Sequence, residues 1–528
     1  MFTEGTLRLD DGALLDVAEE LRRGDRSEQI RALRCFENVD GEFLLVVRAV
    51  DEDRVWIVTD RYGHLPLYHA QLGEGCVVTR DFPIACELAG AKRVDQLAVA
   101  GYLVFNFVPG CETPHPGVRT VPPGALSTIT DGQVATTRWN HWEGDLRPAG
   151  SGGQRPRHAV DAVVESLVDT CRWRLSQKGD TPVVSLSGGL DSRAVVAALR
   201  RSWAHPLPAA TFGLAEGDSI DVPVARRVAH VAGMPWTLEE LPPTGEDEQN
   251  ELFEIKRGLN SLRMAFILPF FHSLLRQHGS RVRYVTGDTG LLVRPVLPRR
   301  SIRSADDFLA RLFVGGRFHR HAVFSSGQAC RAARIRESEF REWLVETAIS
   351  LDPQGDWERR FMVFVLDGYG RRWHYEGMDR NRYYFWLEAP LESTPVMNVL
   401  LSVPDRAKRH LGFFGAVVRA LDRELASIPK AGQSFPPGSR AQLLSNQLWS
   451  LRMRVASRIP GRRGARSAVR PTASASTSWL RAREVWESSE AARSAFDLDA
   501  CRGQGVSGQA AATALGLARF WARSAGED

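Results

Sequence analysis

The string Ser187-Gly188-Gly189-Leu190-Asp191-Ser192 puts two hydroxyls, two glycines and one acid into six residues. The apolar run Val183-Val184-Ser185-Leu186 precedes it, and an Ala/Val-rich run follows as far as Leu199. Glycines there let the main chain turn sharply and let a ligand approach it. Successive amide N–H groups then point into one concavity, and the next helix adds the positive end of its dipole. Such a turn binds an anion, and serine hydroxyls can donate to phosphate oxygens. A carboxylate in a phosphate nest repels its ligand unless a cation lies between them. Asp191 therefore implies Mg²⁺ bridging carboxylate and phosphate. A tight turn with Asp191-Ser192 as a helix N-cap would explain the glycines alone, but not the whole string between strand and helix. The Walker A pattern GxxxxGK[ST] is absent.

The elements around this loop follow from periodicity. "PVVSLS" reads as a buried strand and "SRAVVAALRRSW" as a helix. "LPAATFGL" and "RVRYVTGD" read as further strands, with the helix "DVPVARRVAHVAG" between them. Strands alternating with helices argue for a parallel sheet covered on both faces. Before about Trp142 the chain reads instead as short strands: "EFLLVVRAV", "RVWIVTD", and a hairpin with Asp131-Gly132 at its tip. The Gly/Pro/Arg-rich loop "RPAGSGGQRPR" marks a domain boundary. After about Phe340 the chain reads as mostly helical. The basic run "RMRVASRIPGRRGARSAVRPTASASTS" reads as a solvated linker, with contact to an acidic partner as the other reading. A last amphipathic helix packs Leu515, Leu517, Phe520 and Trp521.

Composition bounds the class. The 528 residues are 43% hydrophobic and 25% charged, and Lys+Arg at 68 against Asp+Glu at 63 leaves only +5. That excess gives no case for nucleic acid. Seven scattered cysteines with no CxxC pair suggest neither zinc nor a disulfide framework and suit a reducing cytoplasm. No basic n-region with an apolar h-region opens the chain, and no apolar run is long enough to span a bilayer. His319 and His321 are adjacent without a third-ligand pattern.

The loop resembles the pyrophosphate loop of ATP pyrophosphatases, and its leading strand and spacing resemble the asparagine synthetase branch, which includes β-lactam synthetase-like and lasso-peptide cyclase-like members. The resemblance extends to Thr211-Phe212-Gly213, to Ser219, Asp221 and Ala225-Arg226, and to "VTGDTG" at Val285–Gly290. It extends also to "VDGEFLLVV" and "TDRYGHLPLYHA", which are similar to glutaminase-domain strands, and to "GVRTVPPGAL" between the domains. It implies a mixed fold, α/β and α+β. A truncated glutaminase-like (Ntn-type) β-rich domain at 1–145 precedes an adenine-nucleotide α-hydrolase-like parallel-sheet synthetase domain at 155–440. A basic linker and a helical C-terminal extension occupy 441–528. The activity implied is cleavage of ATP to AMP and pyrophosphate, adenylation of a carboxylate, and displacement of AMP by an amine.

The resemblance assigns Leu186, Ser187, Gly188, Gly189, Leu190, Asp191, Ser192, Phe212 and Gly287 to ATP and pyrophosphate. It assigns Asp191 and Asp288 to Mg²⁺, with Lys430 and Glu388 as catalytic candidates. Lys430 would neutralise charge on the phosphorus and the leaving pyrophosphate. Glu388, like Glu376 and Glu392, could act as a base toward the amine. The cofactors implied are ATP and Mg²⁺. The partners implied are a small-molecule or peptide carboxylate, with neither nucleic acid nor membrane; a homodimer and a pathway partner protein stay open. Two departures stand out. Family glutaminases begin Met-Cys-Gly with the cysteine as nucleophile. Here the chain begins Met1-Phe2-Thr3, which predicts no glutamine hydrolysis. The metal loop continues Gly290-Leu291-Leu292 where the family has a second carboxylate, which leaves Asp288 as its only acid. That replacement is the feature that favours a non-catalytic nucleotide-binding scaffold.

Overall fold

Two apolar runs flanking Asp51-Glu52-Asp53 pair antiparallel in the computed structural model, which describes residues 1–90, 93–147, 156–176, 180–214, 219–289, 292–298, 301–313, 323–456, 473–501 and 507–527. The strands before residue 140 are β1 (Phe2–Leu7), β2 (Gly41–Arg48), β3 (Arg54–Thr59), β4 (Tyr68–Leu72), β5 (Gly75–Thr79), β6 (Arg119–Thr120), β7 (Ala125–Thr130) and β8 (Gln133–Arg138). They form a five-stranded sheet, β1-β2-β3-β7-β8, and a three-stranded sheet, β5-β4-β6. The predicted hairpin is β7–β8. Asp131 at φ 49° and Gly132 at φ 71° supply the two left-handed positions its two-residue turn requires.

The second sheet is wholly parallel. It comprises β9 (Thr181–Ser185), β10 (Ala209–Leu214), β11 (Trp236–Leu241), β12 (Val282–Thr286) and β13 (Trp386–Glu388), in the order β11-β10-β9-β12-β13. Val183, Val184 and Val285 are fully buried, as expected of strands covered on both faces. Six helices matter below: α1 (Pro156–Ser176), α2 (Asp191–Ser202), α3 (Asp221–Ala232), α4 (Gly412–Leu421), α5 (Arg440–Ala456) and α6 (Gly508–Ser524). The strand order reverses between β9 and β12, so a crevice opens beyond their carboxyl ends, where ligands bind in open α/β sheets. In α2, Ala194 to Leu199 are all buried; small side chains there let the helix lie close on the sheet.

Charge joins the two sheets. Arg174 of α1 is 1% exposed and reaches Asp40 at 2.7 Å, Glu42 of β2 at 2.6 Å and Glu388 of β13 at 3.3 Å. Arg382 pairs with the other oxygen of Glu42. The two arginines outweigh desolvation and lower the Glu42 carboxyl to about 2. Removing Arg174 would leave the buried acids uncompensated. Arg174→Met is expected to cost about 3–5 kcal/mol, read as the shift in urea midpoint; an unchanged midpoint would refute this role.

The last helix belongs to the core. Leu515, Leu517, Phe520 and Trp521 of α6 are buried, and Phe520 stacks on Phe82 with centroids 6.2 Å apart. The predicted boundary near 145–155 and the pair His319/His321 lie largely or wholly outside the described residues. No helix among the described residues is long and apolar enough to cross a membrane.

Candidate functional site

The loop after β9 is closed on itself. Leu186 is fixed first: its N–H donates to Ala210 O at 2.9 Å, and Thr211 Oγ1 donates to its carbonyl at 2.7 Å. Ser192 Oγ then accepts from the Ser187 N–H at 3.2 Å, and Ser187 Oγ accepts from the Gly189 N–H at 3.2 Å. Asp191 is the first residue of α2, not its cap. The N-cap is Leu190, whose side chain caps nothing. The first turn therefore has N–H groups with no side-chain cap, the arrangement that receives an anion. Two glycines are dictated by close approach. A Cβ on Gly287 would sit 2.1 Å from Ser192 N, and one on Gly188 would sit 2.9 Å from Asp221 Cα of α3.

Asp191 is the charged centre. Arg294 donates to its Oδ2 at 2.5 Å, while its Oδ1 is buried and makes no hydrogen bond. Burial raises its carboxyl above the ordinary value, Arg294 and Lys430 pull it down, and Asp288 pushes it up. Asp288 is exposed, with its N–H on Thr286 Oγ1 at 3.1 Å. An unpartnered carboxylate oxygen beside a second carboxylate is a hard-oxygen donor set, and it fits Mg²⁺ that keeps its remaining ligands as water and phosphate. Arg294 is held in place by its own strap. Leu292 and Val293 are buried, and the N–H groups of Val296 and Leu297 donate to Asp405 at 2.7 and 2.6 Å. Gly290 and Leu291 of the predicted loop lie outside the described residues.

Lys430 is brought to the same place. Ala431 N–H donates to Gly188 O at 3.1 Å, so the segment carrying Lys430 is tied to the loop, and the lysine's charge acts on Asp191. What holds that segment is Arg193. It is fully buried, and its guanidinium donates to the carbonyls of Leu425 at 3.4 Å, Pro429 at 3.3 Å and Ile428. The residue next to Ser192 thus fixes the segment that carries Lys430. Arg193→Met is expected to lower turnover by roughly 10²-fold by misplacing Lys430. In a Lys430→Ala background it should cost little more; additive losses would show that Arg193 acts elsewhere.

The other predicted residues separate. Phe212 is half-buried within β10 against Phe270 and Phe266, with centroids 5.2 and 5.9 Å away. Glu388 is not brought to the loop. It lies on β13, two strand spacings, or roughly 10 Å, from β9, and it is 2% exposed within the Arg174 cluster. Burial, helped by Glu42 and Asp40 against Arg174 and Arg283, pushes its carboxyl up to about 7. A carboxyl raised on folding adds stability that is complete below its ordinary 4.5 and is lost as pH rises through about 7. Glu388→Gln removes that loss. Its gain in melting temperature over wild type should therefore be larger at about pH 8 than at about pH 5, and equal gains would contradict the assignment. Glu376 and Glu392 are buried as well, Glu376 paired with Lys256 at 2.8 Å and Glu392 accepting from Tyr375 Oη at 2.9 Å.

Sequence reasoning missed three arginines. Arg193 carried a signal, a cation opening an Ala/Val run. Arg294 carried none, because its pairing with Asp191 spans 103 residues. Arg380 is buried with Nη1 making no hydrogen bond among the described residues; burial lowers its guanidinium to about 10, against the opposing charge of Asp288.

Residues 30–140 match the glutamine amidotransferase domain family, and residues 162–286 match the asparagine synthase family. Carboxyethyl-arginine beta-lactam-synthase of Streptomyces clavuligerus is 30% identical over 178 residues, 32% of this chain and 30% of that protein. The glutamine-hydrolyzing asparagine synthetase 1 of Bacillus subtilis is 25% identical over 219 residues, 41% of this chain and 33% of that protein. The matched segments thus span about a third of each relative. The solved NMN synthetase of Francisella tularensis covers 42% of this chain and 96% of its own at 14% identity, with a TM-score of 0.21, too slight to argue from.

Proposed function

We propose, from the premise that this chain belongs to the asparagine synthetase-like family, that it is an ATP-dependent ligase that adenylates a carboxylate and passes the acyl group to an amine. The observation that carries this reading is the buried, unpartnered Oδ1 of Asp191 at the mouth of a closed phosphate turn, with Lys430 beside it. In the reaction proposed, a carboxylate oxygen bonds to the α-phosphorus and pyrophosphate leaves. The amine nitrogen then bonds to the acyl carbon, AMP leaves with the C–O electrons, and the amine's surplus proton passes to solvent. The uncapped N–H groups of α2 and the hydroxyls of Ser187 and Ser192 bind pyrophosphate. Lys430, fixed by Arg193, neutralises charge that grows on the leaving group. Arg294, paired with Asp191 Oδ2 at 2.5 Å, stands in the site as a further cation toward phosphate. Asp191 and Asp288 would hold Mg²⁺, which supplies further neutralisation when bound.

The reading includes no glutamine hydrolysis. Burial raises the thiols of Cys35, Cys76, Cys86, Cys171, Cys330 and Cys501, so none of these six is poised as a thiolate nucleophile. In this reading the chain generates no ammonia, so the acceptor is an amine within a peptide or small metabolite, with free ammonia and aspartate as the alternative. Seven unpaired thiols suit a cytoplasmic address. One observation favours a second reading, nucleotide binding without turnover: Arg294 already occupies Oδ2 of Asp191.

The test is MgATP with aspartate plus ammonium, aspartate plus glutamine, and amine-bearing carboxylates that can close a ring, followed by nucleotide product analysis. AMP formed with ammonium or with a ring-closing substrate, but not raised by glutamine, is the expected outcome. Glutamate released from glutamine would overturn the loss of glutaminase activity. Tight ATP binding with no AMP in any mixture would favour the scaffold.

A further inference from the structure

Helix α5 is mounted with its polar side inward. Gln442 is 4% exposed and donates through Nε2 to Asn446 Oδ1 at 2.8 Å, and Leu443 and Asn446 are half-buried beside it. Leu444 and Leu448 are each 57% exposed and Leu451 is 55% exposed, with Trp449 at 62% next to them. An ordinary surface helix turns its leucines to the core and its amides to water; this one does the reverse. Ala441, Leu444, Leu448 and Leu451 recur at three, four and three residues, the seam of a heptad repeat, and Trp449 stands one position round the helix from it.

The positions flanking that seam are Arg440, Ser445, Gln447, Arg452 and Arg454. None is acidic, and the sequence holds no acid at all between Glu424 and Glu484. A second copy of α5 laid on the seam would set arginine against arginine. The complement that satisfies both features is an amphipathic helix with apolar a and d positions and acidic flanks. We infer that α5 is a docking surface for an acidic helix of another polypeptide. The inference is independent of the ligase reading.

The full chain is titrated with a synthetic helical peptide of about four heptads carrying leucine at a and d and glutamate at e and g, and with the same peptide carrying lysine instead. The glutamate peptide should bind, weaken with added salt, and lose at least ~10-fold in affinity to the variant Leu444→Glu/Leu448→Glu. Both leucines are exposed, so the variant should keep the wild-type thermal midpoint, which is measured alongside. Equal binding of both peptides, or of neither, overturns the inference. So does self-association abolished by the variant, which would make the occupant a second copy. Flotation with phosphatidylserine/phosphatidylcholine vesicles that the variant abolishes would make it a lipid surface.

Discussion

Asp191→Ala is expected to lower AMP formation by roughly 10³-fold while leaving the fold intact. The expectation rests on the two oxygens of that side chain. Oδ1 is buried with no hydrogen-bond partner among the described residues, which leaves it open to a ligand of the site. Oδ2 holds Arg294 at 2.5 Å. In the proposed mechanism alanine removes the oxygen that would face the metal and frees Arg294 toward the proposed phosphate site, so some pyrophosphate affinity should persist while turnover is lost. Neutralising charge on a transferring phosphoryl group supplies several kcal/mol, which sets the size of the loss. Asp191→Asn, which keeps the shape and the Oδ2 contact, should fail nearly as badly. Turnover by either variant within about tenfold of wild type would remove Asp191 from the chemistry.

Lys430→Ala is expected to lower turnover by roughly 10²–10³-fold with a much smaller change in the KM for ATP. The lysine reaches the site because its own segment is pinned at both ends: Ala431 N–H on Gly188 O at 3.1 Å, and the Ile428 and Pro429 carbonyls on Arg193. A cation that is positioned before the reaction and meets charge only as pyrophosphate leaves acts on kcat. Lys430→Arg keeps the charge but not the point geometry and should recover only part of the rate. A mutant whose loss falls wholly on KM would make Lys430 an ordinary ground-state phosphate contact.

The loop itself was readable because its physics is local. A buried strand, a glycine turn and a small-residue helix are neighbours in sequence, and the string from Ser187 to Ser192 holds its own hydrogen bonds. The β7–β8 hairpin was readable for the same reason, since Asp131-Gly132 alone sets its turn. Lys430 could be placed by resemblance, but the reason it stays there could not: Arg193 works through carbonyls more than 230 residues away. Glu388 was drawn toward catalysis by its place in a matching segment. The structure sets it on β13 against Arg174, a partner 214 residues distant, in a cluster that joins the two sheets. Helix α5 shows the limit of amphipathic patterning. The seam was present in sequence, but pattern alone assumes that leucines face inward, and here Gln442 does.

The measurement that tests the central claim most directly is ³¹P NMR of the nucleotide products from MgATP, run with the carboxylate and amine that turn over fastest, on wild type and on Asp191→Ala. The account predicts AMP and pyrophosphate in equal amounts from wild type and neither from the variant. ADP with orthophosphate, or AMP that persists in Asp191→Ala, would contradict it.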